Sequence, residues 1–333
     1  VKGLVKTAIG ISFYYPVDSM VELATNVERL GYDSFWMHED PRVGDSLMVL
    51  SSIAAKTRRM RIGSACVSAV TRHPAMTAAS AATLHVQSGG RFVLGFGLGG
   101  FPWLPNMGVN VFPVAETKPL QRLRESIAVI RSLLAGEPVT LAGRFYRLDG
   151  FRLFTKPDGQ VPIYLASYGL KTLGEAASFA DGVITSPGVH TVEDVKRFIS
   201  AVKSGEDRYG RRIEKASYLL ASVSKLESEA AAAVKRVPFF LYMLAEVVAP
   251  ESLEKLGVDT KDLPKIRGLF RRHNFPEAAS LVSDEMAQAL TITGTADQCL
   301  DRLKEYVEVG VDLAIITPVG EIQACLETFR PDD

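Results

Sequence analysis

An alternation constrains this chain more than any other feature. Short apolar, β-branched-rich runs give way repeatedly to amphipathic helical stretches, from Val5 to Phe329. Such spacing reads as βα units feeding a parallel sheet. The strand runs are 5–14, 33–38, 61–67, 91–97, 161–166, 181–185, 218–223 and 312–317. Helical runs follow at 20–30, with Asp18 or Ser19 as cap, and at 46–56. Others are 75–87 behind Pro74, 118–134, one opening near Gly169, 192–203, 295–309 and 321–329. Eight strands alternating with helices predict a single (β/α)8 TIM barrel over residues 1–333. A doubly wound sheet is the alternative, but it would tend to divide near the middle, where no linker is visible. Two stretches depart from the rhythm. Residues 139–154 alternate like a small hairpin. From Glu227 to Leu290 the chain is helical and loop-like, broken at Pro238, Pro250, Gly257, Pro264 and Pro276. This predicts a helical insertion at about 226–292, after strand seven.

The fourth strand run, RFVLGFGLGG (Arg91 to Gly100), ends in bare backbone. Glycines there either finish a core strand or let a flat ligand approach closely. Gly95, Gly97 and Gly100 also fit the dinucleotide fingerprint, which requires a helix to start at the glycines. Phe101 to Asn106 instead carries Pro102 and Pro105 and lacks an amphipathic period, so the dinucleotide reading fails.

Charge narrows the partners. The 38 basic side chains equal the 38 acidic ones, so neither nucleic acid nor an anionic membrane is expected as a partner. The three cysteines, Cys66, Cys299 and Cys325, lack paired spacing for zinc or a disulfide framework. With no signal-like start and no spanning apolar run, a soluble, cytoplasmic protein is expected.

In a barrel, function sits at the C-terminal ends of the strands. Those ends carry Ser12 and Tyr14, then His38, Glu39 and Asp40, then Ala65 and Cys66, then Gly97 to Gly100. Later ends carry Ala166 to Tyr168, Thr185 with Ser186, Ser222 and Thr317. No strand end offers a lysine for a Schiff base or a pair of carboxylates on opposite strands. No further His or carboxylate ends a strand to complete a metal site with His38, Glu39 and Asp40, so no metal is expected. Small residues, hydroxyls and backbone suit a broad planar cofactor that supplies its own chemistry.

The runs YDSFWMHED, GSACVSAVTRHPA, SGGRFVLGFGLGG, PIYLAS and ADGVI stand in this order along the chain. With LAGEPVTLAG and ITGTADQCLDRLKEYVEVGVD they give a pattern that resembles the luciferase-like flavin and deazaflavin oxidoreductases. Within that family the likeness is greatest to coenzyme F420-dependent methylenetetrahydromethanopterin reductases. The resemblance implies a barrel that binds the deazaflavin at its C-terminal face and exchanges hydride between C5 and a small organic substrate. It places a non-prolyl cis peptide behind the cofactor ring at Ala65–Cys66. It also implies cofactor contacts at Gly97 and Gly99, and a phosphate site at Tyr168, Gly169 and Leu170 with Thr185 and Ser186.

The family's acid and histidine after strand two fall on Glu39 and Asp40, with His38 one place early; these three are the expected catalytic residues. Carboxylates that handle protons near neutral pH are raised in pKa by burial or by one another, which adjacent Glu39 and Asp40 offer, an ordinary solvated loop being the alternative. Ser12 and Gly100 replace two acids at the family's substrate end, which points to a different substrate. Ser12, Phe101 and Trp103 are the expected substrate contacts, ordinary loop packing being the alternative for the two aromatics. Alternatives to an F420 oxidoreductase are an FMN-dependent monooxygenase and a non-catalytic flavin-binding protein. The alanine-rich third helix suits a homo-oligomer, with a homodimer as the simplest form.

Overall fold

The computed structural model describes residues 5–12, 16–99, 104–109 and 118–331. Eight parallel strands close into a barrel: β1 Lys6–Ile11, β2 Ser34–Met37, β3 Arg61–Ser64, β4 Phe92–Gly97, β5 Ile163–Ala166, β6 Gly182–Gly188, β7 Glu214–Val223 and β8 Leu313–Pro318. Each pairs with its neighbour in sequence order, and β1 against β8 closes the ring, with Lys6 opposite Leu313 and Ile9 opposite Ile316. The expected (β/α)8 barrel is the architecture observed. Two short strands are added, Val67–Ser68 beside β4 and Ile292–Gly294 beside β7. The hairpin expected at 139–154 forms as Val139–Ala142 against Arg147–Phe151.

Side-chain size decides how the barrel fills. Ala8, Trp36, Val93, Tyr164, Ile184, Ala216, Leu313 and Ile315 pack its interior. A Cβ on Gly63 would lie 2.2 Å from Cε3 of Trp36, so the glycine is what lets the indole lie across the barrel.

The surrounding helices are α1 Val17–Arg29, α2 Ser46–Lys56, α3 Pro74–Gln87, α4 Pro119–Leu134, α5 Leu170–Glu175 and α6 Val192–Tyr209. Asp45 caps α2 by accepting from the amides of Leu47 and Met48, and Thr191 with Asp194 forms a capping box on α6. The cap expected for α1 is not Asp18 or Ser19. The helix begins at Val17, with Pro16 as its N-cap residue and no side-chain cap.

Between β7 and β8 stand α7 Glu227–Lys235, α8 Pro238–Glu246, α9 Pro250–Glu254, α10 Leu263–Arg271, α11 Phe275–Ser280 and α12 Asp284–Leu290. They bury a core of their own, including Phe240, Leu241, Leu244, Ile266, Leu269 and Leu290. Helices α13 Ala296–Glu308 and α14 Ile322–Phe329 complete the outer ring. Among the described residues no helix is long and apolar enough to cross a membrane.

Candidate functional site

A cavity of about 660 Å³ opens at the C-terminal ends of β2 to β6, within the size range of small-molecule sites. Its floor is made of small groups. The Ala65–Cys66 peptide is cis, as the family resemblance implies, and both residues line the cavity beside Gly99 and Ala166. Gly99 has φ +72°, a conformation open to glycine, and it follows directly from the glycine-rich end of β4. Tyr218, from β7, also lines the cavity.

One side holds polar groups from β5 and β6. Ser167 Oγ accepts from the Gly169 amide at 3.1 Å, and Gly169 is the N-cap of α5 without a side-chain cap. Ser186 Oγ accepts from the Gly188 amide at 3.0 Å and lies 3.3 Å from Nδ1 of His190. Burial holds that histidine neutral, lowering its pKa to about 4 against the pull of Asp194.

Of the expected catalytic trio, only His38 lines the cavity. Burial lowers its pKa, with a hydrogen bond to the Ala65 backbone and the charge of Asp40 acting the other way. The backbone of His38 continues the ladder, its amide donating to the Ile11 carbonyl at 3.0 Å. Alternation along β2 turns Glu39 to the opposite side, where Arg72 Nε donates to its Oε1 at 3.1 Å. The other carboxylate oxygen, Oε2, is buried without a partner. Burial raises the pKa of Glu39, and the charge of Arg72 opposes this.

Asp40 behaves differently. Burial would raise its pKa, yet hydrogen bonds from Arg42 outweigh burial and lower it. Of the two expected routes to a raised carboxylate, burial operates at Glu39, while Asp40 is lowered by Arg42 and the two acids do not raise one another. The Cys66 thiol is pushed up to about 12 by burial and by the charge of Glu39, which makes it a packed, protonated group.

The remaining expected residues divide. Tyr168, Gly169 and Ser186 line the cavity, whereas Leu170, Thr185 and Gly97 do not. Thr185 is fully buried, and its hydroxyl donates to the Ala216 carbonyl at 3.3 Å, inside the barrel wall. Gly97 stands behind the floor, where a Cβ would lie 2.7 Å from Sγ of Cys66 and 3.0 Å from the Ala166 carbonyl. Leu170 is the first residue of α5 and about half exposed. Ser12, just past the end of β1, is half-buried and is not among the lining residues. Tyr14, Gly100, Phe101 and Trp103 lie outside the described residues.

The insertion supplies a wall that sequence reasoning missed. Phe239, Tyr242, Met243 and Glu246 of α8, with Val247 and Phe270, close the cavity opposite the strands. The signal was present in PFFLYMLAE, which carries apolar side chains on opposite faces, as in a helix that contacts something on both sides.

A family model described as luciferase-like monooxygenase matches residues 5–313. The chain is 30% identical over 310 residues to a 5,10-methylenetetrahydromethanopterin reductase of Methanolobus tindarius, covering 92% of each protein. It is 28% identical over 307 residues to an F420-dependent glucose-6-phosphate dehydrogenase of Nakamurella multipartita, covering 87% of this chain and 84% of the relative. Its fold superposes on the coenzyme F420-dependent tetrahydromethanopterin reductase of Methanopyrus kandleri with a TM-score of 0.87, at 24% identity and 98% coverage of both chains. By family match, sequence identity and barrel architecture, the chain belongs to the luciferase-like monooxygenase family.

Proposed function

We propose that the protein is a coenzyme F420-dependent oxidoreductase that exchanges hydride with a small organic substrate, in the manner of 5,10-methylenetetrahydromethanopterin reductase. The observation that carries this reading is the bare floor of the cavity at Ala65, Cys66, Gly99 and Ala166, in a chain whose relatives include F420-dependent enzymes. A flat tricyclic ring fits such a floor, since no side chain longer than a thiol rises from these four residues. When bound, the deazaflavin supplies the ring carbon that gives or takes the hydride.

The chain's own residues do the rest. The Ala65–Cys66 bulge backs the ring, and Gly99 gives it bare backbone. Ser167, Tyr168, Gly169 and Ser186 offer amide and hydroxyl groups to a phosphate, with Leu170 supplying the first amide of α5. Thr185 supports Ser186 from within the barrel wall, and Gly97 leaves room for the Cys66 side chain. His38 holds or releases the substrate's proton at its imidazole, kept in place by the Ala65 backbone. Glu39 and Asp40 act from behind it, Glu39 by fixing Arg72 and Asp40 through its charge on His38. Ser12, Phe101 and Trp103 are the proposed substrate contacts.

The reading extends to a homodimer and to the cytoplasm. Met76 and Val86 of α3 and Met48 of α2 are exposed apolar side chains, and all three cysteines are buried free thiols. Light scattering at known concentration tests the dimer, and a monomer at 50 μM, a roughly chosen working concentration, would count against it.

Fluorescence titration of the purified protein with coenzyme F420 and, separately, with FMN tests the cofactor. Saturable binding of F420 with none of FMN is expected. Binding of FMN alone would replace this reading with that of an FMN-dependent monooxygenase.

A further inference from the structure

The cavity has two unlike sides, and the second side concerns the substrate. Helix α8 presents Phe239, Tyr242, Met243 and Glu246 along one face, at helical spacing i, i+3, i+4 and i+7. The opposite face, with Phe240, Leu241 and Leu244, is buried in the insertion's own core. Phe239, Tyr242 and Phe270 are only half-buried, so their rings are the surface that the cavity meets. These rings form a continuous series. His38 to Phe239, Phe239 to Tyr242 and Tyr242 to Phe270 are each 6.2 Å apart between centroids. The wall thus begins at the one imidazole in the cavity and runs outward along aromatic faces.

Charge completes the picture. No lysine or arginine is among the lining residues. Lys2 is the only cationic side chain in the sequence outside the described residues, so the segments around 13–15, 100–103 and 110–117 cannot supply one. Glu246, the one lining carboxylate among the described residues, engages Arg271, whose Nε donates to Oε1 at 2.9 Å and Nη2 to Oε2 at 3.2 Å. The nearby guanidinium is therefore already committed. An anionic group brought against this wall meets a carboxylate and aromatic faces, with no cation to offset its lost hydration.

We infer that the α8 side of the cavity selects an uncharged, ring-bearing substrate, an alcohol–ketone pair or its equivalent, and rejects phosphorylated sugars. Apolar ring faces pack against Phe239, Tyr242 and Phe270, while the substrate's one polar group is directed to His38. This rests on the F420-dependent reading for the reaction, but the binding preference belongs to the wall itself. The specificity-determining residues are Phe239 and Tyr242. Phe239 stands next to the imidazole, and Tyr242 links it to Phe270.

The test is ligand-observed saturation-transfer NMR and competition titration with cyclohexanol, cyclohexanone, 1-phenylethanol and glucose 6-phosphate. Each probe is added to the protein with and without coenzyme F420, so that a failure of coenzyme binding is read separately from a failure of probe binding. The ring probes are expected to receive saturation and glucose 6-phosphate none. Phe239→Ala is expected to weaken ring-probe binding at least tenfold. Phe239→Leu keeps apolar volume and packing in case the alanine variant unfolds, and is expected to weaken it three- to fivefold. Melting curves report whether each variant is folded. Glucose 6-phosphate binding as tightly as the ring probes, or ring-probe binding unchanged in a folded Phe239→Leu protein, would overturn the inference. Ring-probe binding in a protein that fails to bind F420 would uphold the wall's preference and sink the coenzyme reading instead.

Discussion

The imidazole of His38 lies 6.2 Å, centroid to centroid, from the ring of Phe239. This pair joins the end of barrel strand β2 to the inserted helix α8, two elements separated by some two hundred residues of sequence. It sets the one lining imidazole against the aromatic wall, so a substrate packed on that wall has its polar group beside a proton carrier.

His38 should govern rate more than coenzyme affinity. Replacing it with asparagine is expected to lower kcat by about a hundredfold, the usual range for loss of a positioned acid or base. The dissociation constant for F420, measured by fluorescence, should stay within twofold. Burial lowers the pKa of His38 from 6.5, so the imidazole is neutral at pH 7 and activity that needs its basic form declines only on the acid side of 6.5. That acid limb should disappear from the pH–rate profile of the variant. An unchanged profile would remove His38 from proton transfer.

Arg72 should be worth more to stability than to chemistry. Removing it as Arg72→Ala strands Glu39, whose Oε2 already lacks a partner, as a buried charge. A loss of about 3 kcal/mol in urea unfolding at pH 7 is expected, the scale for breaking a buried pair by one partner. Adding Glu39→Gln to Arg72→Ala should restore more than half of that loss. If the double variant is no more stable than the single one, the pair is not what holds this corner.

Gly97 should be intolerant of even a methyl group. A Cβ there meets Sγ of Cys66 at 2.7 Å and the Ala166 carbonyl at 3.0 Å, so Gly97→Ala must shift the cavity floor. The expected cost is about 1–3 kcal/mol of stability, typical of overpacking, together with weaker F420 binding. Gly169→Ala is the control. Its Cβ has 3.6 Å to the nearest atom, and a loss of stability under about 1 kcal/mol is expected.

The N-terminal mouth of the barrel should set acid stability. Glu214 of β7 receives hydrogen bonds from Lys6, Arg61 and the Tyr164 hydroxyl. Burial would raise its pKa, but these partners, Arg61 foremost, lower it to about 2. A carboxylate depressed in the folded state contributes stability that is complete above its unfolded value, near 4.5, and is lost as pH falls toward 2. Urea midpoints measured between pH 5 and 2.5, a range chosen to cover about that window, should fall less steeply in Glu214→Gln than in the natural protein. Parallel slopes would show that another group carries the acid transition.

The barrel was legible because its causes are local. The 3.6 and 2.0 periodicities, proline at helix starts and the glycine-rich end of β4 each act within a few residues, and together they specify which segments form strands and helices. The family resemblance located the Ala65–Cys66 floor from the same kind of local run. Element ends were less legible. α1 begins at Val17, ahead of Asp18, with Pro16 as its N-cap residue, and β7 begins at Glu214, where inward-facing Ala216 extends the strand below its most apolar stretch.

What tertiary structure alone decided is which side chains share the cavity. Sequence adjacency placed His38, Glu39 and Asp40 together, but only His38 lines the cavity: alternation turns Glu39 away, where burial raises its pKa, and Arg42 engages Asp40 and lowers its pKa. Likewise the sequence pattern of the insertion assigns no face to Phe239 or Tyr242. Only the packing of the insertion's own core, which takes Phe240 and Leu244, determines that the face bearing Phe239 and Tyr242 is turned to the barrel. Local patterns settle how a segment folds. Which of its faces meets a distant segment depends on contacts between elements far apart in the chain, and these the one-dimensional pattern does not encode.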